Sequence, residues 1–300
     1  MTHNLRFQVI TLPGPSWDKV LANFKYVEEL GFDLVTTGDH FVDWNNPILP
    51  WFEAWTLLAA IARETTRIRI ATYVTQFPLR NPAMLARQAL TVDHISGGRL
   101  EVGLGTGLTI DPAYDMIGIP NYAAKERVAR FREYVEIVDR LLVNETTLFE
   151  GEFYSVKDAV MNPRPVQTPR PPLVIAALGP VMLKIAAQFA DNWNSMSFEA
   201  EFEAQLEETR VRIARVDAAC EALDRDPASL RRSFLMFDPA SRAGGGSITY
   251  YESERVFTDR VEALLKLGIS EIGLYFPTVD AQRPMFEKIA TEIIPDLKRA

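Results

Sequence analysis

Strand-like apolar runs and amphipathic helical segments alternate along this 300-residue chain from one end to the other. Most of the strand candidates are continuous apolar runs, which is typical of parallel strands buried on both faces. The predicted strands are Leu5–Thr11, Phe32–Thr37, Ile68–Thr75, Leu100–Gly105, Leu173–Ala177, Asn192–Met196, Ser233–Phe237 and Glu271–Phe276. Eight strand–helix units close a (β/α)8 barrel, so we predict an α/β TIM barrel with insertions at its C-terminal face. A doubly wound open sheet is the alternative, because sequence alone does not show closure.

Helical patterns lie between the strands and carry start and stop signals. Ser16 is the predicted N-cap of the first helix, and Gly31 ends it. The other predicted helices are Phe52–Thr65, Pro82–Ile95, Ala124–Asn144, Pro180–Phe189, Ala200–Leu223, Glu254–Leu267 and Arg283–Lys298. We expect a single domain over residues 1–300 with two insertions. We interpret the first, at about 145–172, as a hairpin and a connector. The second, at about 239–252, is a Gly-rich loop, which is either a lid or a surface loop.

Composition excludes several classes of function. The formal net charge is −8 and no basic run occurs, which argues against binding to nucleic acid or to an anionic membrane. No apolar run approaches the ~18 residues of a membrane span, and the first residues lack a signal-peptide layout, so we expect a cytoplasmic protein. Cys220 is the only cysteine, and its helical spacing predicts a buried thiol.

The run from Asp39 to Trp44 places a carboxylate, an imidazole and an indole directly after the second predicted strand. In α/β folds, the loops at the carboxyl ends of strands carry the chemistry. His40 can therefore act as a general base, as a proton donor or as a hydrogen-bond donor to a cofactor ring, and a structural imidazole is the alternative. His94 lies within a helix and His3 in the N-terminal tail, where structural or inert roles are expected.

Three other chemistries find no support in the residue pattern. A histidine-based metal site needs clustered ligands, and none of the three histidines has a local partner, so no metal is expected. Schiff-base catalysis needs a lysine at a strand exit, and every lysine lies in a helix or in the inserted hairpin. A Ser-His-Asp hydrolase would carry a G-x-S-x-G elbow, which is absent from the sequence.

Residues that favour turns lie at the ends of three predicted strands. Gly103–Gly107 permits close approach of a ring or a phosphate, but its spacing is not that of a dinucleotide fingerprint. Ala176–Pro180 forms a compact turn into a helix whose N-terminus suits a phosphate, and an ordinary strand-to-helix turn is the equal alternative. Thr72–Thr75 is followed by two prolines and by Asn81, the predicted N-cap of the next helix.

The chain resembles the bacterial luciferase-like superfamily of flavin- and deazaflavin-dependent oxidoreductases along nearly its whole length. The strongest block runs from Asn81 to Gly107. The run Asp39-His40-Phe41 with Trp44, together with Ala176–Pro180, is similar to the subgroup that uses the deazaflavin coenzyme F420. Members of that subgroup include F420-dependent glucose-6-phosphate and alcohol dehydrogenases and methylenetetrahydromethanopterin reductase.

The resemblance implies a barrel with the deazaflavin at its C-terminal face and a non-prolyl cis peptide at Tyr73-Val74. It implies His40 as the proton donor or base, Asp39 as the residue that orients it, and Trp44 as a wall of the pocket. The cofactor-binding residues that it implies are Asp39, Thr72, Tyr73, Val74, Gly105, Thr106, Gly107, Ala176, Ala177, Leu178, Gly179 and Pro180. It also implies a homodimer, formed near the second and third strands, to which Trp51 and Trp55 would contribute.

One departure bears on the substrate. Where the sugar-phosphate dehydrogenases carry a glutamate after the Gly-Thr-Gly turn, this chain has Leu108. We therefore do not expect glucose 6-phosphate as substrate, and Leu108, Trp44 and Trp193 would form an apolar wall suited to a less polar small molecule. Asp111 or Asp115 could supply an acid from the loop that follows.

The function predicted is hydride transfer between coenzyme F420 and a small organic substrate. One alternative is an FMN-dependent monooxygenase that uses reduced flavin and dioxygen and must protect a peroxyflavin from water. A further alternative is a non-catalytic flavin-binding barrel protein.

Overall fold

The computed structural model describes residues 3–238 and 246–299. Residues 239–245, which are half of the predicted Gly-rich loop at 239–252, lie outside the described residues. Within the described ranges, no helix is long and apolar enough to cross a membrane.

Eight parallel strands close into a barrel. The described residues form eleven strands, which are β1 (Arg6–Ile10), β2 (Leu34–Thr37), β3 (Arg69–Thr72), β4 (Thr75–Gln76), β5 (Leu100–Gly105), β6 (Thr146–Glu150), β7 (Ser155–Val160), β8 (Leu173–Ala176), β9 (Asn192–Ser195), β10 (Arg231–Leu235) and β11 (Glu271–Tyr275). Of these, β6 and β7 lie outside the barrel, and β3 and β4 share one of its eight positions. Strand order is β3-β2-β1-β11-β10-β9-β8-β5, and pairing of β3 and of β4 with β5 completes the circle. β4 follows β3 in the chain, and the two together occupy one strand position of the barrel. The predicted (β/α)8 architecture is confirmed, and the open sheet is excluded.

Helices cover the outside of the barrel. They are α1 (Trp17–Glu29), α2 (Ala54–Glu64), α3 (Pro82–Ser96), α4 (Ala113–Met116), α5 (Ala124–Val143), α6 (Pro180–Phe189), α7 (Phe202–Glu221), α8 (Glu254–Lys266), α9 (Arg283–Lys288) and α10 (Ile294–Arg299). Short 3-10 turns lie at Phe77–Leu79, Pro227–Ser229, Thr249–Tyr251 and Asp280–Gln282. β6 and β7 form an antiparallel hairpin outside the barrel, between α5 and β8.

The predicted elements agree with the structure to within two residues at most ends. Three differences have physical causes. A cis peptide between Tyr73 and Val74, the position implied by the resemblance, separates the predicted strand Ile68–Thr75 into β3 and β4. β10 begins earlier than predicted, at Arg231, because its polar first residues pair with β9. The predicted last helix contains a π-helical stretch, Ile289–Ile293, between α9 and α10.

The lower half of the barrel interior is a buried ionic cluster. The Arg6 guanidinium of β1 bridges Glu101 of β5, with Nη1 2.7 Å from Oε1, and Glu271 of β11, with Nε 2.8 Å from Oε2. Arg69 of β3 adds a second cation, its Nε 2.6 Å from Glu101 Oε1. Two cations and two anions thus neutralise one another where the strands begin.

The upper half of the interior is apolar. Ile10, Tyr73, Val174 and Leu235 are buried there, with Val74, Met196 and Tyr275 packed against them; we call these seven residues the upper layer. It lies below the carboxyl ends of the strands, the end of the barrel that we call the barrel mouth. The loops that follow the strands meet there, and they carry the predicted site residues.

Candidate active site at the barrel mouth

His40 lies at the barrel mouth, in the loop that follows β2, with 15% of its side chain exposed. Its Nδ1 atom is 2.6 Å from Asp111 Oδ2 and 2.8 Å from Gln76 Nε2. The Trp51 ring meets the imidazole edge to face, with 5.7 Å between the ring centroids. Nε2 makes no hydrogen bond to any of the described residues, so this nitrogen is the one left for a ligand.

Asp39 is buried, and its carboxylate binds Arg80 rather than His40. Arg80 Nη2 donates to Asp39 Oδ1 at 2.9 Å and to Glu53 Oε1 at 3.1 Å, and Arg80 Nη1 contacts the other Asp39 oxygen. The expectation that Asp39 orients His40 is therefore wrong. Neighbouring side chains of an extended segment point in different directions, which explains why adjacency in sequence did not give adjacency in space.

Asp111 takes the place that Asp39 was expected to fill. It lies in the loop after β5, with its side chain fully buried. Burial raises the pKa of this carboxyl, but hydrogen bonds from His40, from Gln76 and from the Ala113 backbone outweigh it, so the pKa lies below its ordinary value. Asp111 is therefore an ionised hydrogen-bond acceptor for the imidazole. The Ala113 N–H donates to Oδ1 at 2.9 Å, which fixes the carboxylate at the start of α4.

Three of the expected cofactor residues surround the cis peptide. The Thr72 hydroxyl donates to the Gly103 carbonyl at 3.0 Å and is buried in the barrel wall. The Tyr73 ring points into the barrel, where its hydroxyl lies 2.9 Å from Ser233 Oγ. Val74 is half-buried in the upper layer and is the least buried of the three side chains.

In the turn Gly105–Gly107, the two glycines have no room for a larger side chain. A Cβ atom on Gly105 would overlap Val74, and one on Gly107 would overlap both Gln76 Oε1 and the Tyr114 hydroxyl. Gly107 also has a φ of +74°, which favours glycine. The Thr106 carbonyl accepts a hydrogen bond from Arg127 Nη1 of α5 at 2.8 Å. Local packing therefore explains this turn, whether or not it also contacts a cofactor.

The turn Ala176–Pro180 opens α6. Gly179 is the N-cap and Pro180 the first helical residue, as predicted, and no side chain caps the helix. Nothing lies within 4 Å of the position that a Gly179 Cβ would occupy. Ala177 is buried and accepts the Trp193 indole N–H at 2.8 Å, while Leu178 is half-buried. The exposed, uncapped start of a ten-residue helix is suited to an anion.

The tryptophans differ from expectation in two cases. Trp193 is fully buried in the core between barrel and helices, so it is not a wall of the barrel mouth. Trp55 is 2% exposed and donates to Thr75 Oγ1 at 3.1 Å, so it is not available for an interface. Strand and helix periodicity turns both rings toward the core. Trp44 is half-buried in the loop after His40, where it was expected.

Sequence reasoning missed four residues around His40: Gln76, Arg80, Tyr114 and Arg127. Gln76 is a polar residue that ends a buried strand, and Arg127 is a charge on the buried face of an amphipathic helix. Buried polar groups need partners, so both positions carried a signal. The partners themselves come from loops and helices distant in sequence, which periodicity does not reveal.

A sequence model described as luciferase-like monooxygenase matches residues 3–240. Because the match spans more than half of the chain, this protein belongs to that family of barrel proteins. A F420-dependent glucose-6-phosphate dehydrogenase from Intrasporangium calvum is 31% identical over 231 residues, which is 71% of this chain and 68% of the relative. A protein of the same name from Amycolatopsis mediterranei is 35% identical over 170 residues, 55% of this chain and 49% of the relative. The chain spans about half of the length of most such curated relatives.

Solved structures share the fold. The coenzyme F420-dependent tetrahydromethanopterin reductase from Methanopyrus kandleri superimposes with a TM-score of 0.78 at 19% identity, covering 98% of this chain and 99% of that one. A F420-dependent secondary alcohol dehydrogenase in complex with an F420-acetone adduct gives 0.81 at 18% identity, covering 97% and 100%. At these identities the likeness is one of architecture.

Proposed function

We propose that this protein is a coenzyme F420-dependent oxidoreductase that acts on a small, predominantly apolar organic molecule. The observation that carries the proposal is the His40 imidazole at the barrel mouth, bound through Nδ1 to a buried carboxylate and with Nε2 left for a ligand. The names of the relatives that are more than 30% identical support the choice of cofactor.

The residues present fit a deazaflavin. The upper layer, which includes Val74 at the cis peptide, supplies apolar side chains on which a ring would pack. The open space at Gly179 and the uncapped N-terminus of α6 fit a phosphate. When bound, coenzyme F420 supplies or accepts the hydride.

The chain's own residues would bind, orient and handle a proton. Val74 and the other residues of the upper layer would support the deazaflavin ring, with Gly105 and Thr106 beside that ring. Gly179 and Pro180 would place backbone at the phosphate, with Ala176, Ala177 and Leu178 leading into that turn. His40 Nε2 would take a proton from a substrate hydroxyl, or give one to a substrate oxygen in the reverse direction, with Asp111 holding the imidazole.

Two observations favour an apolar substrate. Leu108 and Ile110 follow the glycine turn, and the Ile110 side chain is 70% exposed. The rings of Phe198, Phe237 and Tyr275 contact one another in series, with centroid distances of 5.4 Å and 6.2 Å. Phe198 and Phe237 follow β9 and β10, and Tyr275 is the last residue of β11. Side chains of this kind would bind a small ketone, alcohol or activated alkene better than a sugar phosphate.

The test is a parallel fluorescence titration of wild type and His40→Ala with F420 and with FMN, followed by hydride-transfer assays with apolar ketones and alcohols. We expect selective F420 binding by both proteins and a loss of turnover of about 10²-fold or more in His40→Ala. His94→Ala is the matched control and should retain turnover. Selective FMN binding would instead support the monooxygenase hypothesis, and binding of neither cofactor would support the non-catalytic one.

We also propose a homodimer in the cytoplasm. The segment between β2 and α2 exposes Ile48 at 89%, together with Leu49 and Phe52, and such a patch suits a second copy of the chain. Light scattering of wild type and of Ile48→Asp is the test. A dimer that becomes a monomer in the variant is expected, and a wild-type monomer would contradict the proposal.

A further inference from the structure

We propose that a chain of hydrogen bonds, in which Arg127 donates to Tyr114, Tyr114 to Gln76 and Gln76 to Asp111, fixes the tautomer of His40, which also donates to Asp111. Nδ1 of His40 then always carries a proton, and Nε2 is the nitrogen that gains or loses one. Asp111, Gln76, Tyr114 and Arg127 are then positioning residues. The inference about the tautomer stands apart from the identity of the cofactor, whereas its catalytic meaning rests on the proposed function.

The direction of the chain is set at Arg127. A guanidinium only donates, and Arg127 Nη1 is 3.2 Å from the Tyr114 hydroxyl oxygen, which therefore accepts. The Tyr114 hydroxyl has one proton of its own, and the remaining neighbour is Gln76 Oε1 at 3.0 Å. Burial raises the pKa of the Tyr114 phenol, against the lowering effect of Arg127, so the hydroxyl keeps that proton. Tyr114 thus donates to Gln76.

The second step is the orientation of the Gln76 amide. Since Oε1 accepts from Tyr114, the nitrogen end faces the barrel mouth, where Nε2 lies 3.0 Å from the Asp39 carbonyl oxygen and 2.8 Å from Asp111 Oδ2. The reverse orientation would set the amide oxygen against these two acceptors. The two amide protons are therefore used by the carbonyl and the carboxylate, and none is left for His40.

The third step places the proton on His40. Nδ1 lies 2.8 Å from Gln76 Nε2, which has no proton to offer it, and 2.6 Å from Asp111 Oδ2, which is an acceptor. The favourable arrangement is an Nδ1–H that donates to the carboxylate. The other charged groups at this end of β2 have partners of their own. The Arg80 guanidinium binds the carboxylates of Asp39 and Glu53. The Asp43 carboxylate accepts the backbone N–H groups of Asn45 and Asn46.

Gly107 is part of the same arrangement. A Cβ atom there would overlap both Gln76 Oε1 and the Tyr114 hydroxyl, the two atoms that make the middle hydrogen bond of the chain. A side chain at this position would force them apart. The glycine that follows Thr106 therefore has a role in proton placement at His40, besides any contact with a cofactor.

His94 is expected to have the opposite tautomer and so provides an internal reference. Its Nε2 lies 2.7 Å from the Arg164 carbonyl oxygen, to which only a protonated nitrogen can donate. His94 is therefore expected to carry its proton on Nε2. With three histidines in the chain, both tautomers can be observed in one spectrum of the cofactor-free protein.

The experiment is two-dimensional NMR of protein labelled with 15N-histidine, recorded above the pH at which the imidazoles lose their charge. Resonances are assigned with His3→Gln and His94→Gln. For His40 we expect a pyrrole-type Nδ1 and a pyridine-type Nε2, and for His94 the reverse. An Nε2–H form of His40 in the wild type would overturn the proposal.

Variants test the route. In Asp111→Asn, the amide oxygen stays with the Ala113 N–H and the amide nitrogen faces His40, so the Nε2–H form should become the major one. Tyr114→Phe removes the donor to Gln76 and should produce a mixture. Asp115→Asn changes an exposed acid of α4 and should leave the spectrum unchanged.

An unaltered His40 tautomer in folded Asp111→Asn would remove Asp111 from the proposal. None of these readouts requires F420 binding or turnover, so they can succeed even where the cofactor assignment fails.

Discussion

The buried carboxylate of Asp39 and the guanidinium of Arg80 form a two-point ion pair at the end of β2. Arg80 follows the 3-10 turn Phe77–Leu79, so the pair joins the exits of β2 and β4. It thereby positions the backbone carbonyl of Asp39, which accepts from Gln76. The ion pair therefore supports the geometry around His40 indirectly.

Removal of Arg80 should destabilise the protein strongly. Arg80→Ala leaves the Asp39 carboxylate buried without its cation, a change that costs about 3–5 kcal/mol in comparable buried pairs. The free energy of unfolding in urea measures the effect. Arg63→Ala, on an exposed position of α2, is the control and should change it by about 0.5 kcal/mol or less. Equal effects of the two substitutions would contradict a structural role for the pair.

Gly107→Ala and Gly118→Ala separate two costs of replacing a glycine. Both residues have positive φ angles, +74° and +69°, so both variants incur the same backbone penalty of about 1 kcal/mol. A Cβ atom overlaps neighbours at Gly107, whereas nothing lies within 4 Å of it at Gly118. We expect Gly107→Ala to be less stable than Gly118→Ala by about 1–3 kcal/mol in thermal or urea unfolding. Similar stabilities would show that Gln76 and Tyr114 move aside without cost.

The ionic cluster in the barrel should make stability depend on pH in acid. Burial raises the pKa of Glu101, but the lowering effect of Arg6 and Arg69 is larger. The pKa in the folded protein therefore lies below the unfolded value of about 4.3. The stabilisation is present above that unfolded value and is lost as the pH falls through the folded pKa. Glu101→Gln should therefore be less stable at pH 7 and lose less stability between about pH 4.5 and 3.

Urea unfolding across this pH range tests the prediction. Glu152→Gln, exposed on the hairpin, serves as the control and should follow the wild type at every pH. A Glu101→Gln curve parallel to that of the wild type would show that other carboxyl groups dominate acid unfolding.

Substitution at Gly179 should separate binding from stability. The residue has φ −83° and open space around it, so Gly179→Ala should cost about 1 kcal/mol or less in unfolding. If a phosphate lies against this backbone, the added methyl group should weaken F420 binding by about tenfold, or about 1.4 kcal/mol. Val211→Ala on α7 is the control. Unchanged affinity in Gly179→Ala would place the phosphate elsewhere.

The fold could be read from the sequence because its signals are local. Leu100–Gly105 and Pro180–Phe189 were predicted with the boundaries that they have, since flanking glycines specify the first and a Gly-Pro helix start specifies the second. The position of His40 followed from the same reasoning. Its partner did not, because Asp111 is 71 residues away and reaches the imidazole through a loop. The prediction that Trp193 lies at the barrel mouth was wrong. A strand buried on both faces shows no alternation of polar and apolar residues, so the sequence does not indicate the direction of its side chains.

The loop after β5 is fixed at two points and exposed between them. Arg127 binds the Thr106 carbonyl at one end, and Asp111 binds His40 and Gln76 at the other. Thr109 and Ile110, which lie between them, are exposed to solvent. On the proposed function, we expect that the residues between these two points can be exchanged while Asp111 keeps its hydrogen bond to His40. In evolutionary terms, substrate selectivity at Leu108 and Ile110 would then be separable from acid–base chemistry at His40, and a redesign of substrate range should begin at those two residues.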